Sequence, residues 1–313
     1  MEQIGLLHDG QIYDLQTAEA LNIKGDIIKA DDSKESLEIL RHSCAHMMAQ
    51  AIKELYPEAK FFVGPVVKEG FYYDFKVESK ISDEDLPTIE KKMKEIADRK
   101  LPITRHETTK EEFYEKFKND ELKQAVLKNI KDDTLTIYKQ GDFEDLCRGP
   151  HLPNTRMIRS FKLTRVAGAY LGGDEKNEMI TRIYGIAFFD KQALFDYTKM
   201  IEEAKKRDHR KLGTELELFT FNDDVGAGLP MWLPNGARLR SKLEHHLKAK
   251  AYQNRKIAFV ENGSWAPTAA RQMKAIVEGF KNIECVEPVV TIKSTLNEAS
   301  EKQMDELVAA LTK

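Results

Sequence analysis

The segment ESLEILRHSCAHMMAQAIKELYP, Glu35 to Pro57, constrains this chain more than any other stretch. Leu37, Leu40, Met48, Ile52 and Leu55 recur at helical spacing, with Ile39 and Met47 alongside, so the run predicts an amphipathic helix. Asp32 and Glu35 are placed to form a capping box ahead of it, and Pro57 closes it. His42 and His46 lie four residues apart, so both imidazoles leave the same helix face. Later in the chain, FEDLCRGPHLP sets Cys147 and His151 four apart around an Arg-Gly-Pro turn. If the two segments meet, three imidazoles and a thiol converge on one cavity.

Those residue types suit three kinds of chemistry. Imidazole nitrogens and a thiolate are good zinc ligands, and three of them beside an open position would activate water. Without metal, the same groups serve as bases and hydrogen-bond donors around an ester carbonyl. The thiol could also attack directly if a histidine lowered its pKa. An HxxxH pair alone is ordinary on an amphipathic helix; the addition of CRGPH is what points to a site. Cys44 leaves the helix elsewhere and reads as a small core or surface residue. His8, His106 and His209 have no comparable company, and His245 and His246 sit in a basic helix exposed to solvent.

A chain of 313 residues is long enough for two or three domains with real cores. A net charge of -3 and a pI near 6.3 exclude a highly basic nucleic-acid binder. A local patch such as KKRDHRK, Lys205 to Lys211, can still carry RNA contacts. No apolar run reaches membrane-spanning length, the start MEQIGLLHDG is unlike a secretory signal, and three cysteines make no disulfide framework. A reducing cytoplasm fits best.

Taken in order, IGLL, Asp9-Gly10 and QIYDL predict a hairpin. Ala59 to Asp74 reads as two strands, Asp83 to Lys100 as a charged helix with Ile89, Met93 and Ile96 inward, and Leu101 to His106 as a strand. Thr109 to Phe117 reads as a short helix, and Thr134 to Tyr138 as a strand leading into the Cys147 loop. Strands follow at Lys162 to Ala169, Lys176 to Ala187 and Ile186 to Phe189. Asp190 to Asp208 predicts a long helix with Leu194, Phe195, Tyr197, Ile201 and Ala204 facing inward. This pattern implies one α+β domain in which helices cover one face of an antiparallel sheet. Beyond it, Leu212 to Phe221 reads as helix then strand, DDVGAGLPMWLPNG as a turn segment and Ala237 to Tyr252 as a basic helix. A β-α-β-α run closes the chain.

The segments LEILRHSCAHMMAQAIKELYP, GPVVKEGFYYDF, GDFEDLCRGPHLP, FKLTRVAGAYLGGDEKNEMITRIYGIAFFDK and EEAKKRDHRKLG resemble threonyl-tRNA synthetase and follow that family's order. The resemblance covers residues 1 to about 250. Residues 1–32 resemble the end of its ubiquitin-like (TGS) domain, 33–210 its editing domain, and 211–253 the start of its class II catalytic domain. The editing domain is also related to free-standing alanyl-tRNA editing proteins. The resemblance implies hydrolysis of serine wrongly attached to threonine tRNA, with His42, His46, Lys123, Asp145, Cys147 and His151 forming the catalytic pocket. No cofactor is required by that implication. Zinc, if bound, falls to His42, His46, Cys147 and His151: the alanyl editing proteins hold it with the comparable quartet, whereas the bacterial threonyl domain works without it. Serine and threonine differ by one methyl, which a synthetic pocket favours by only about 1–3 kcal/mol, so a second pocket must supply the missing selectivity.

The ATP motifs, aminoacylation zinc site and anticodon-binding domain of the family do not follow in this sequence, so these residues are not expected to ligate. Residues 254–313 resemble the carboxy-terminal part of a flavodoxin-like domain, with Trp265 where a loop would approach the flavin. The phosphate-binding loop and earlier strands are missing, so FMN is not expected. Two other readings stay open: a non-catalytic tRNA-binding or structural remnant of a rearranged threonine–tRNA ligase gene, and a flavodoxin-type electron carrier. The expected partner is tRNA rather than a membrane, and the oligomeric state is left open.

Overall fold

The computed structural model describes residues 2–118, 120–128, 130, 134–173, 175–221, 230–250, 252–262, 268–292 and 297–312. The chain divides into two compact units, Met1–Glu202 and Glu203–Lys313.

The first unit opens with the expected hairpin, β1 (Gln3–His8) and β2 (Gln11–Asp14). Its turn residues Asp9 and Gly10 take φ of 48° and 77°, the left-handed geometry that a two-residue hairpin needs. Helix α1 (Leu15–Ala20) follows at once, N-capped by Asp14, and β3 (Asp26–Lys29) pairs with β1 to give the sheet order β2-β1-β3. Ile4 and Ile28 of this sheet belong to the same core as the histidine helix that comes next.

That helix is α2 (Lys34–Leu55), and 15 of its 22 residues are buried, so it is enclosed on nearly every side rather than amphipathic. Ala45, Ala49 and Ala51 make this possible, because small side chains let neighbouring elements close in. The capping box does not form: Ser33 is the N-cap, without a side-chain bond. The Asp32 carboxylate is drawn instead to the Phe189 and Asp190 amides (2.7 and 3.3 Å).

Strands β4 (Lys60–Phe61), β5 (Val66–Val67) and β6 (Gly70–Lys76) replace the two expected, with β4 and β5 both pairing to β6. Helix α3 (Leu86–Asp98) buries Ile89, Met93 and Ile96 as the periodicity predicts. Next come β7 (Ile103–Thr109), α4 (Lys110–Lys116), opened by a Thr109/Glu112 capping box, α5 (Glu121–Lys128), β8 (Thr134–Gln140) and β9 (Phe143–Leu146). Strands β10 (Ser160–Tyr170) and β11 (Met179–Phe188) form one long hairpin. The two strands expected after the glycine turn are thus a single strand, since no turn residue divides them.

The unit holds two further sheets rather than one. The larger runs β10-β11-β6-β4, with β5 beside β6, and its buried Phe71, Tyr73 and Phe75 belong to the core that also contains α2. The smaller, β7-β8-β9, is separate because β8 turns back at Gly141 (φ 61°) and pairs with β7 and β9 instead of β6. Helix α6 (Lys191–Lys206) has no buried residue, and Phe195, expected inside, is 59% exposed. Tyr197 supplies its contact, stacking on Phe188 with ring centroids 5.5 Å apart and donating to Glu69.

The second unit contains α7 (His209–Glu215), β12 (Phe219–Phe221), β13 (Pro230–Trp232) and α8 (Pro234–Ala249). Pro230–Trp232, read as turn, pairs with β12. Then β14 (Arg255–Asn262), α9 (Ala269–Val277), β15 (Ile283–Ile292) and α10 (Glu298–Leu311) follow, and β14 and β15 are parallel. Two parallel strands occur in many α/β folds and do not single out a flavodoxin-like one; Trp265 lies outside the described residues. No helix among the described residues is long and apolar enough to cross a membrane.

Candidate functional site

Helix α2 presents His42 and His46 to the loop that leaves β9, and the four expected side chains meet there. Cys147 Sγ lies 3.2 Å from both His42 Nε2 and His151 Nε2. The His46 and His151 ring centroids are 4.3 Å apart, as are those of His42 and His151. His46 and His151 are buried, while His42 and Cys147 are half-buried. A cavity of ≈ 300 Å³ lined in part by Thr134, Thr136, Leu146 and Arg148 meets the group at Cys147, and none of the three histidines lines it.

The loop's conformation follows from its residues. The Cys147 amide continues the ladder by donating to the Thr136 carbonyl (3.0 Å), and the Gly149 amide then donates back to Cys147 Sγ (3.2 Å). Gly149 has φ 76°, and a Cβ there would lie 2.6 Å from Tyr138 Oη and 2.7 Å from Asp14 Oδ2. Only glycine fits. Ser43, one residue beyond His42, ties the loop to α2: its Oγ donates to the Ile39 carbonyl (2.9 Å) and accepts from the Leu152 amide (2.8 Å). His151 Nδ1 lies 3.2 Å from the same oxygen. With that hydroxyl proton committed, Nδ1 is the donor and His151 Nε2 keeps its lone pair facing Cys147.

Electrostatics leave the quartet neutral. Burial pushes His42 down to about 4 and His46 down to about 3, the latter aided by His42. His151 is likewise held well below its ordinary range by burial and by the two neighbouring imidazoles. Burial pushes the Cys147 thiol up, so it is protonated at neutral pH. Beside them Asp145, on β9, meets Lys123 of α5 through Oδ1 and the Tyr73 hydroxyl of β6 through Oδ2, and all three are buried.

Zinc bonded at about 2.0–2.3 Å in a tetrahedron sets its ligand atoms about 3.3–3.8 Å apart. Two pairs here are already that close, and all four donor atoms lie within 4.8 Å of one another. Three neutral imidazoles and a thiol that can lose its proton therefore fit a zinc site after a small contraction.

Residues 135–184 match the family described as "Threonyl and Alanyl tRNA synthetase second additional domain". Over 246 residues the chain is 67% identical to the threonine–tRNA ligase of Campylobacter jejuni, a match covering 79% of this chain and 40% of that protein. Over that stretch the chain is homologous to bacterial threonyl-tRNA synthetase. The threonine–tRNA ligase of Helicobacter hepaticus is 63% identical over 256 residues, 80% of this chain and 42% of its own length. That of Nautilia profundicola is 65% identical over 242 residues, 77% of this chain and 40% of its own. The chain thus spans about 40% of the length of these threonyl-tRNA synthetases. Asp145, Cys147 and His151 fall inside the matched 135–184 segment, while His42, His46 and Lys123 precede it.

All six expected site residues therefore stand together: the quartet directly, Lys123 and Asp145 as an adjoining ion pair. Sequence reasoning missed Ser43, Tyr73 and Asp14. Ser43 had a usable signal, a buried-type polar residue beside His42. Tyr73 and Asp14 had none short of knowing which strands meet the loop.

Proposed function

We propose that this chain is an aminoacyl-tRNA deacylase that hydrolyses the ester joining serine to threonine tRNA, and that these 313 residues do not themselves form an aminoacyl adenylate. The observation that carries the reading is the convergence of His42, His46, Cys147 and His151, from segments a hundred residues apart, next to a cavity that Cys147 lines. The synthetase relationship supplies the substrate class.

In this reading a water attacks the ester carbonyl and the ribose oxygen leaves with a proton. An imidazole held near pKa 4 is a weak base, so His42 acts by orienting the water or the ribose hydroxyls rather than by removing a proton fully. His151 offers its Nε2 lone pair, which Ser43 keeps pointed at the pocket. Cys147, a neutral buried thiol, shapes and polarises the pocket instead of forming an acyl-enzyme. Lys123 has donors left beyond its bond to Asp145 and favours charge developing on the carbonyl oxygen. If zinc is bound, His42, His46, Cys147 and His151 hold it, and the chemistry it supplies is polarisation of the ester and activation of water, which requires one of the four to yield its position.

The deciding experiment is deacylation of seryl- and threonyl-tRNA(Thr) by purified protein beside Cys147→Ala and His46→Ala. Serine release well above background, lost in either variant and weak on threonyl-tRNA, is expected. No release from well-folded protein would overturn the reading in favour of a non-catalytic remnant, in which the quartet serves packing alone.

A further inference from the structure

The Cys147–His151 loop rests on a residue from the far end of the chain. Asp14 lies at the junction of β2 and α1 and is 1% exposed. Its Oδ2 accepts from the Tyr138 hydroxyl (2.6 Å) and from the His151 amide (3.0 Å), 137 residues away in sequence. Its Oδ1 accepts from the Thr17 amide (2.8 Å), and Thr17 Oγ1 in turn lies 2.9 Å from Tyr138 Oη. Tyr138 packs against His151 with ring centroids 4.5 Å apart. The same carboxylate bounds the space that forces glycine at 149. One buried anion therefore touches the backbone of a quartet residue, the aromatic ring against it and the turn between Cys147 and His151.

We propose that Asp14 is a positioning residue of the pocket, so that the amino-terminal β2-α1 junction is part of the hydrolytic site rather than a separate appendage. This rests on the deacylase reading for its kinetic consequence, but not for its geometry. Asn has the same shape and only one acceptor oxygen. Whichever way it is turned, either the Thr17 amide or the His151 amide with the Tyr138 hydroxyl meets an NH2 group instead of an oxygen. In either orientation the loop exchanges a charged acceptor for a neutral one or for none, so its seat weakens and the Cys147 and His151 side chains lose their mutual register. Asp14 does not touch the substrate, so the loss belongs to the chemical step more than to binding.

A second contact separates positioning from mere attachment. Gln16, two residues on, grips β7 with both ends of its amide, donating to the Ile103 carbonyl (2.6 Å) and accepting from the Arg105 amide (2.8 Å). Gln16→Ala weakens the same docking without touching the loop.

The test compares Asp14→Asn, Gln16→Ala and the unaltered full chain. Deacylation of seryl-tRNA(Thr) by Asp14→Asn is expected to lose about 10–100-fold in kcat, the range typical of partners that orient site residues, with KM little changed. Gln16→Ala is expected to keep kcat. In 1H–15N spectra the His151 amide, which donates to a carboxylate, moves upfield in Asp14→Asn only, and alkylation of Cys147, followed by mass spectrometry, speeds up. Equal kcat losses in the two variants, or an unmoved His151 amide and unchanged alkylation in Asp14→Asn, would overturn the proposal. If the unaltered chain releases no serine, the deacylase reading fails, and the spectra and alkylation rates still decide whether Asp14 seats the loop.

Discussion

Replacing Lys123 with methionine strips a buried carboxylate of its cation. Asp145 is 2% exposed and Lys123 5%, and Lys123 is the ion-pair partner of Asp145 among the described residues. After the change Asp145 keeps the Tyr73 hydroxyl and the Leu146 amide (2.7 Å). Breaking a buried pair from one side typically costs about 3–5 kcal/mol, and two surviving hydrogen bonds hold the loss near the lower end, about 3 kcal/mol. Asp145→Asn leaves an unpaired buried ammonium and is expected to cost about as much. The double variant removes both charges, so it should lie at least ~2 kcal/mol above the sum of the singles in stability. Both tryptophans, Trp232 and Trp265, lie beyond residue 202, so intrinsic fluorescence reports the other unit. Hydrogen exchange of the β8 and β9 amides, measured for all four proteins, reports the right one. A double variant equal to the sum of the singles within ~0.5 kcal/mol would show that the two groups do not hold one another, and would refute the argument.

Three further outcomes are expected. Gly149→Ala must adopt a left-handed φ, at roughly 1–2 kcal/mol, and also displace Tyr138 or Asp14; deacylation should fall at least about tenfold, and a normal rate would contradict the close contact. With chelator present throughout, the fold should weaken as pH falls: His42 and His46 bind protons at about 4 and 3 when folded and near 6.5 when unfolded, so the unfolded chain takes up protons first and stability drops from about pH 6.5 downward. Urea midpoints followed by circular dichroism between pH 7.5 and 4.5 test this, and the slope should flatten in His46→Asn. Zinc uptake by chelator-treated protein should release about one proton per ion, since Cys147 alone in the quartet must be deprotonated to ligate; pH-stat titration beside Cys147→Ala reads it.

The quartet was legible because its members are chemically conspicuous and come in two short pairs, and the elements that carry them have strong local signals. The hairpin at Asp9-Gly10, the stripe of α3 and the Thr109 helix start all follow from local rules. What local rules cannot reach is which element faces which. The alternation in FYYDF separates two faces of a strand but does not say that Tyr73 meets Asp145. The periodicity of α2 marks an inner face, while its burial nearly all round depends on three sheets arriving from either side. The Asp32 cap failed for the same reason, since amides at 189 and 190 outcompeted the helix end for its carboxylate. In α6 the apolar residues promised a buried stripe; Leu194, Tyr197 and Ile201 are half-buried on one face, and Phe195 lies open because it sits off that face.

The enclosure of α2 also sets a timetable during synthesis. His42 precedes Cys147 by 105 residues. At about 5–20 residues per second, the helix leaves the ribosome roughly 5–20 s before the strand and loop that shelter it. For that interval Ile39, Leu40, Met47, Met48 and Ile52, all fully buried in the finished unit, have only part of their final cover, since β1, β3, β6 and α3 precede the loop and β11 is made later still. A nascent chain of this kind exposes a sticky helix early, and slowing translation before residue 152 lengthens the exposure. The same layout that gathers the pocket from distant segments makes the period before it closes the time of greatest aggregation risk.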